Sequence, residues 1–211
     1  MSPRRSSRRK ISRKKSHSKR LPLAIGVLAV ILVVIVAVTM FYVLGANSTP
    51  AGDRVLLKTS MGDITIQLRT DRPITTSNFK NLVQNGVYDG TIFHRVIPGS
   101  LIQGGDPTGT GYGDPSIPDI QDELSGDNQN LYGTVAMAKK FNPDTEKSIP
   151  NSASSQFFIN LADNHDFDAE YSVFGDVISG MNVVYAISQV ATDANDRPLF
   201  GVTLIDAEII S

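Results

Sequence analysis

At 211 residues the chain has room for one domain of ordinary size plus an appendage. It has no cysteine, which excludes disulfides, thiol catalysis and thiolate metal sites but does not choose a compartment. The net charge of -1 conceals an asymmetry: ten of the twenty Lys and Arg residues lie within residues 1–20, which hold no acid, so the other ten face all 21 Asp and Glu residues.

Residues 1–20 form a basic arm that interleaves Ser with Arg and Lys and contains no aromatic residue. It abuts residues 21–44, LPLAIGVLAVILVVIVAVTMFYVL, 24 residues without a charge. As a helix this stretch spans roughly 36 Å, enough to cross a hydrocarbon core of about 30 Å with some tilt. Phe41 and Tyr42 stand near its far end, where aromatic rings suit the interface. A cleaved signal peptide is the competing reading, with Val43 and Gly45 flanking a weak cleavage site. Its apolar core is ordinarily only about 7–15 residues, so the length favours an uncleaved transmembrane anchor. Basic residues beside a span stay cytoplasmic. The expected topology is therefore single-pass in the cell membrane, with the N-terminus cytoplasmic and the rest outside. Anionic lipid headgroups suit the arm better than nucleic acid does.

Residues 45–53, GANSTPAGD, are small, polar and turn-rich, and read as a linker. From residue 54 the pattern becomes that of a folded domain running to residue 211. RVLLKTS and GDITIQLR are short and β-branched, separated by a turn at Met61, Gly62 and Asp63, and predict a hairpin. DRPITTSNFKNLVQNG predicts a helix: Pro73 suits its first turn, Phe79, Leu82 and Val83 share a face, and Gly86 closes it. TIFHRVI, GTVAMAK, SQFFINL and YSVFGDVI predict further strands, MNVVYAISQV a second helix, and TLIDAEII a terminal strand. Many short strands with only two helices favour a closed or nearly closed β-barrel. Two long irregular segments, residues 104–130 and 141–154, are of a length that often carries function.

Several motifs carry no chemistry. GTGYG, residues 109–113, is followed by Pro115 and no helix, so it is a flexible loop rather than a phosphate cradle. Asp114, Asp119, Asp122, Glu123 and Asp127 do not have calcium-loop spacing and read as a solvated surface. His165 with Asp163 and Asp166 falls short of a metal-ligand set. Ser154 and Ser155 lack the strand-turn-helix context of an activated nucleophile.

What remains is FHRVIPGSLIQGGD, residues 93–106, with Arg95 held among apolar residues and no acid nearby in sequence to neutralise it, together with Leu101, Gln103, Gln156 and Phe158. With FHRVIPG, QGGDPTGTG, GTVAMA, SSQFFI and YSVFGDVISGMNVV in this order and spacing, the chain resembles the cyclophilin family over residues 53–211. The resemblance implies an eight-stranded antiparallel closed barrel capped by two helices. It also implies peptidyl-prolyl cis–trans isomerase activity on proline-containing polypeptides, with no cofactor or metal. An Xaa-Pro bond exchanges slowly, over tens to hundreds of seconds, because rotation must break amide resonance across a barrier of about 18–20 kcal/mol. No covalent intermediate is required, only stabilisation of a twisted amide.

Carried over by position, Arg95 and Gln103 are the expected catalytic residues. Leu101, Ala138, Gln156, Phe158, Phe167, Tyr171 and Ser100 are the expected substrate contacts. The departures from the family pattern are specific. Ser100 stands where an aromatic wall of the proline pocket is usual, Tyr171 where a His is frequent, and Asp166, followed by Phe167, where the family has Trp. That Trp supports cyclosporin binding in the family, so its absence puts cyclosporin sensitivity in doubt. Lys139 replaces a frequent Asn and would add a positive charge at the groove edge, and KFNPDTEKSIPN lengthens the loop beyond it. The expected protein is a membrane-anchored, monomeric prolyl isomerase acting on secreted or membrane proteins as they fold. The alternative is a non-catalytic membrane-tethered module that binds proline peptides or acts as a chaperone, which Ser100 favours.

Overall fold

The computed structural model describes residues 53–210. The basic arm, the apolar span expected to anchor the chain and nearly all of the linker lie outside those residues. Among the described residues no helix is long and apolar enough to cross a membrane.

Strands β1 (Arg54–Thr59) and β2 (Gly62–Leu68) pair as the predicted antiparallel hairpin. Their alternation shows in the burial of Val55 and Leu57 on one strand and Ile64, Ile66 and Leu68 on the other. The turn is Ser60 and Met61, held by the Thr59 hydroxyl donating to the Gly62 carbonyl at 2.6 Å. Helix α1 (Pro73–Gln84) begins at the proline and buries Phe79, Leu82 and Val83. Its first amides donate to a remote acid: Ile74 and Thr75 reach the Glu123 carboxylate at 3.1 and 2.8 Å. A carboxylate at the positive end of a helix satisfies amides that have no intrahelical partner. Gly86, at φ +65°, reverses the chain after α1, its amide donating to the Val83 carbonyl.

The rest of the domain is built from β3 (Thr91–Ile92), β4 (Arg95–Ile97), β5 (Leu101–Gly104), β6 (Thr134–Met137), β9 (Phe157–Asn160), β10 (Val173–Ser179) and β11 (Thr203–Ile210). Between β6 and β9 lies a small hairpin, β7 (Phe141–Asn142) with β8 (Lys147–Ser148), inside a segment expected to be irregular. Helix α2 (Met181–Ser188) buries Val184 and Ile187. It starts at Gly180, where φ is +91° and a Cβ would stand 2.3 Å from the Asp63 carbonyl oxygen, so no other residue fits without moving the backbone.

The main sheet is a curled antiparallel ladder of nine strands in the order β3-β11-β1-β2-β10-β6-β9-β5-β4. This differs from the expected eight-stranded closed barrel. The predicted strand TIFHRVI is broken at Phe93 and His94, and the two end strands, β3 and β4, do not pair with each other. The amides that would extend the ladder are already engaged: Phe93 donates to the Val202 carbonyl, and Val96 to the Asp196 carbonyl at 2.7 Å. A single bridge, Ile92 to Asp106, spans the remaining gap.

The interior is apolar and rich in aromatic rings. Phe79 meets Phe174 at 4.8 Å and Phe157 edge-on at 5.5 Å. Tyr88 is buried with its hydroxyl donating to the Ser155 carbonyl at 3.0 Å, and burial pushes its pKa well up. Strand β9 is buried on both faces. Phe157 and Ile159 enter this core, whereas Phe158 points to a second cluster with Leu101, Ala136, Ala138 and Val173.

Candidate active site

The second cluster is assembled by register. Arg95 pairs with Gln103, Gln103 with Phe158, and Phe158 with Ala136, so four strands contribute one residue each to a continuous cross-strand row. Because successive side chains alternate in direction, Ile97 and Leu101, two residues along from Arg95 and Gln103, join the same face. Val96 and Ile102, one residue along, enter the core instead.

The expected residues converge closely. Gln103 Nε2 donates to Gln156 Oε1 at 2.8 Å, and Gln156 Nε2 donates to the Gly111 carbonyl at 3.0 Å. The Ala138 amide donates to the Gln156 carbonyl at 2.9 Å. Phe158, Phe167 and Tyr171 form a triangle of edge-on rings with centroids 5.3 to 5.8 Å apart. Phe167 comes from a 3-10 turn, His165–Phe167, and the Tyr171 amide donates to the Phe167 carbonyl, which locks the two rings together. Burial raises the Tyr171 pKa, with the Glu170 charge acting in the same direction. Ser100 occupies the turn between β4 and β5, partly exposed, its carbonyl accepting from Leu161 and from Asn164 Nδ2.

Three features were not legible in the sequence. Arg95 is not left without an acid, because Asp196 Oδ2 lies 3.5 Å from its Nε, on a loop remote in sequence. Lys139 does not present a charge at the groove edge. Its side chain is only 3% exposed, its Nζ is 2.9 Å from Asp122 Oδ2, and it sits 5.7 Å from the centroid of the Tyr171 ring. The acids read as a solvated surface are partly structural: Asp122 holds Lys139, Asp119 pairs with Lys140, and Glu123 caps α1.

Behind Gln156 the glycine-rich loop is organised by Asp106, which is fully buried. Burial pushes its carboxyl up. Hydrogen bonds from the Thr108 amide and hydroxyl and from the Gly111 and Gly113 amides outweigh that and hold its pKa below the usual carboxylate value. Beside Gly111 lies His94, also buried, whose pKa is lowered by burial against the opposing charge of Asp106. A histidine depressed in the fold binds its proton at higher pH when unfolded. It therefore contributes stability that is complete above about pH 6.5 and lost as pH falls through the folded value. His165, raised by its contact with Asp168, acts in the opposite sense. Urea midpoints recorded between pH 7.5 and 5 should show a smaller acid loss in His94→Gln than in the unmodified protein. An identical loss in both would contradict the assignment.

This fold and this row define a class. The family described as cyclophilin type peptidyl-prolyl cis-trans isomerase/CLD matches residues 54–209, and the chain belongs to it. It is a peptidyl-prolyl cis–trans isomerase. The peptidyl-prolyl cis-trans isomerase ppi1 of Schizosaccharomyces pombe is 43% identical over 157 residues, covering 72% of this chain and 96% of that protein. The peptidyl-prolyl cis-trans isomerase-like 1 of Rhizopus delemar is 45% identical over 149 residues, 69% of this chain and 86% of that one. A crystal structure of a cyclophilin type isomerase from Cryptosporidium parvum superposes with a TM-score of 0.69 at 32% identity, covering 75% of this chain and 98% of that one. The same protein in the presence of the dipeptide ala-pro gives 0.68 at 31% identity, over 75% of this chain and 99% of that one.

Proposed function

We propose that an Xaa-Pro bond rotates against the row Arg95, Gln103 and Phe158, and that catalysis there is wholly non-covalent. The observation that carries this reading is the register itself, which puts a guanidinium, an amide and a ring side by side on one face. Arg95 directs donors at the prolyl nitrogen or the neighbouring carbonyl, where charge develops as amide resonance is lost. A preorganised donor, once the bound peptide covers it, stabilises that state more than the planar ground state. The guanidinium stays charged and offers a rigid fork. Gln103, tethered to Gln156, holds the adjoining edge and contacts the peptide backbone. The proline ring lies on Phe158 between Phe167, Tyr171 and Leu101, with Ala138 and Gln156 fixing the peptide on either side. The dipeptide present with the Cryptosporidium parvum relative supports a proline ligand of this kind.

The test is NMR exchange on an Ala-Pro peptide with residues 47–211, a stretch that includes all of the match to the family. Catalysed exchange is the expected result, and binding without acceleration would overturn the reading. Ser100→Phe should restore the missing wall. Burying an aromatic side chain is worth up to about 1.5–3 kcal/mol, so a several-fold lower KM is expected, and an unchanged KM would mean that the pocket does not extend to Ser100.

The protein acts, in this reading, as a monomer held in the cell membrane by residues 21–44, with the isomerase domain outside and proline-containing chains in transit as substrates. The length of the apolar stretch and the ten basic residues before it support that topology. Protease added to intact cells should remove the isomerase domain and spare the arm, and a fully protected domain would reverse the assignment.

A further inference from the structure

We infer that Asp196 is the positioning residue for Arg95, holding its guanidinium in place for the rotating amide. This rests on the proposed catalytic role of Arg95. Two independent contacts tie Asp196 to β4. Its carbonyl accepts the Val96 amide at 2.7 Å, next to Arg95 in the chain, and its carboxylate lies 3.5 Å from Arg95 Nε. The first contact fixes where the backbone sits. The second lies at the inner nitrogen of the guanidinium.

The loop is constructed for this placement. Asp196 has φ +61°, a left-handed conformation uncommon for a residue with a side chain and best tolerated by Asp, Asn and Gly. Asp193 holds the turn, its Oδ1 accepting from the Asn195 and Arg197 amides at 2.8 and 3.0 Å, and its carbonyl accepting the Asp196 amide at 3.2 Å. Arg197 then donates to the Gly109 carbonyl at 2.8 Å, joining this loop to the glycine-rich one that carries Gln156 through Gly111. An unusual backbone conformation kept at a site tends to mark a constraint that the surroundings enforce.

The pair is not buried. The Arg95 and Asp196 side chains are 48% and 44% exposed, so the carboxylate faces solvent at the groove edge as well as Arg95. An ion pair of this exposure adds little to stability. Its consequence lies instead in where it holds the guanidinium beside the row.

The experiment measures kcat and KM for the full chain in detergent micelles on an Ala-Pro peptide, with the urea midpoint of each variant alongside. Asp196→Gly keeps the left-handed backbone and removes the carboxylate. Asp196→Asn keeps a side chain of the same size and removes the charge. Asp196→Gly should lower kcat several-fold with little change in KM or in the urea midpoint, and Asp196→Asn should recover part of that loss. Full kcat in Asp196→Gly, or a loss of kcat that follows the urea midpoint, would overturn the positioning role. Arg95→Ala run alongside separates the two readings: full activity there would remove the Arg95 assignment itself, whereas its collapse with no Asp196 effect would remove only this inference.

Discussion

Arg95→Ala should lower kcat/KM for prolyl isomerisation by about 10²–10³-fold, the usual loss when one preorganised donor to a developing charge is removed. The fold should survive the change. Arg95 stands on an end strand with its side chain half exposed and one contact of 3.5 Å, and surface substitutions of this kind usually shift stability by less than about 0.5 kcal/mol. A large rate loss with an unchanged urea midpoint would therefore place the effect in the transition state. Arg95→Lys should recover only part of the rate, because an ammonium lacks the planar fork that reaches Asp196 and substrate together. Exchange rates close to those of the unmodified enzyme in Arg95→Ala would mean that the row binds peptide without driving rotation.

Lys139→Ala should instead act on stability, by about 3–5 kcal/mol. It leaves the Asp122 carboxylate, 9% exposed, without its cation, and Asp122 Oδ1 already has no hydrogen-bond partner among the described residues. The Asn151 amide, 3.0 Å from Oδ2, is a poor substitute for a full charge. The mutation also takes the cation from beneath Tyr171, so KM should rise as that ring loses its support. The double variant Lys139→Met with Asp122→Leu removes both charges and should regain most of the stability, since two apolar side chains need no partner. Urea denaturation of the two single variants and the double one gives the coupling directly. Additive losses across the cycle would show that the two residues act separately.

The hairpin of β1 and β2 and the course of α1 were legible because each depends on a local period. Alternation over a few residues buries Val55 and Leu57, and a shared helix face buries Phe79, Leu82 and Val83. The blocks around Arg95, Ala138 and Phe158 were legible as ordered motifs, which sufficed for the family. The break at Phe93 and His94 was not, since FHRV reads as one strand until Val202 and Asp196 take the amides on either side. Strand β5 was hidden for a related reason: LIQG is too short to show a period and becomes a strand by pairing with β4 and β9.

By itself, then, the sequence determined most of the short segments that are strands and helices and which family they compose, because both are written in local spacing. Only the tertiary structure decided what surrounds those side chains. Register across three strands aligned Arg95, Gln103 and Phe158, and it depends on pairings between segments far apart in the chain. Asp196 reached Arg95 through a left-handed turn, and Lys139 turned inward to Asp122 rather than outward to the groove. A charged residue's sign is evident from its letter. Its partner, and hence the field it leaves in the site, is settled only when distant loops are brought together.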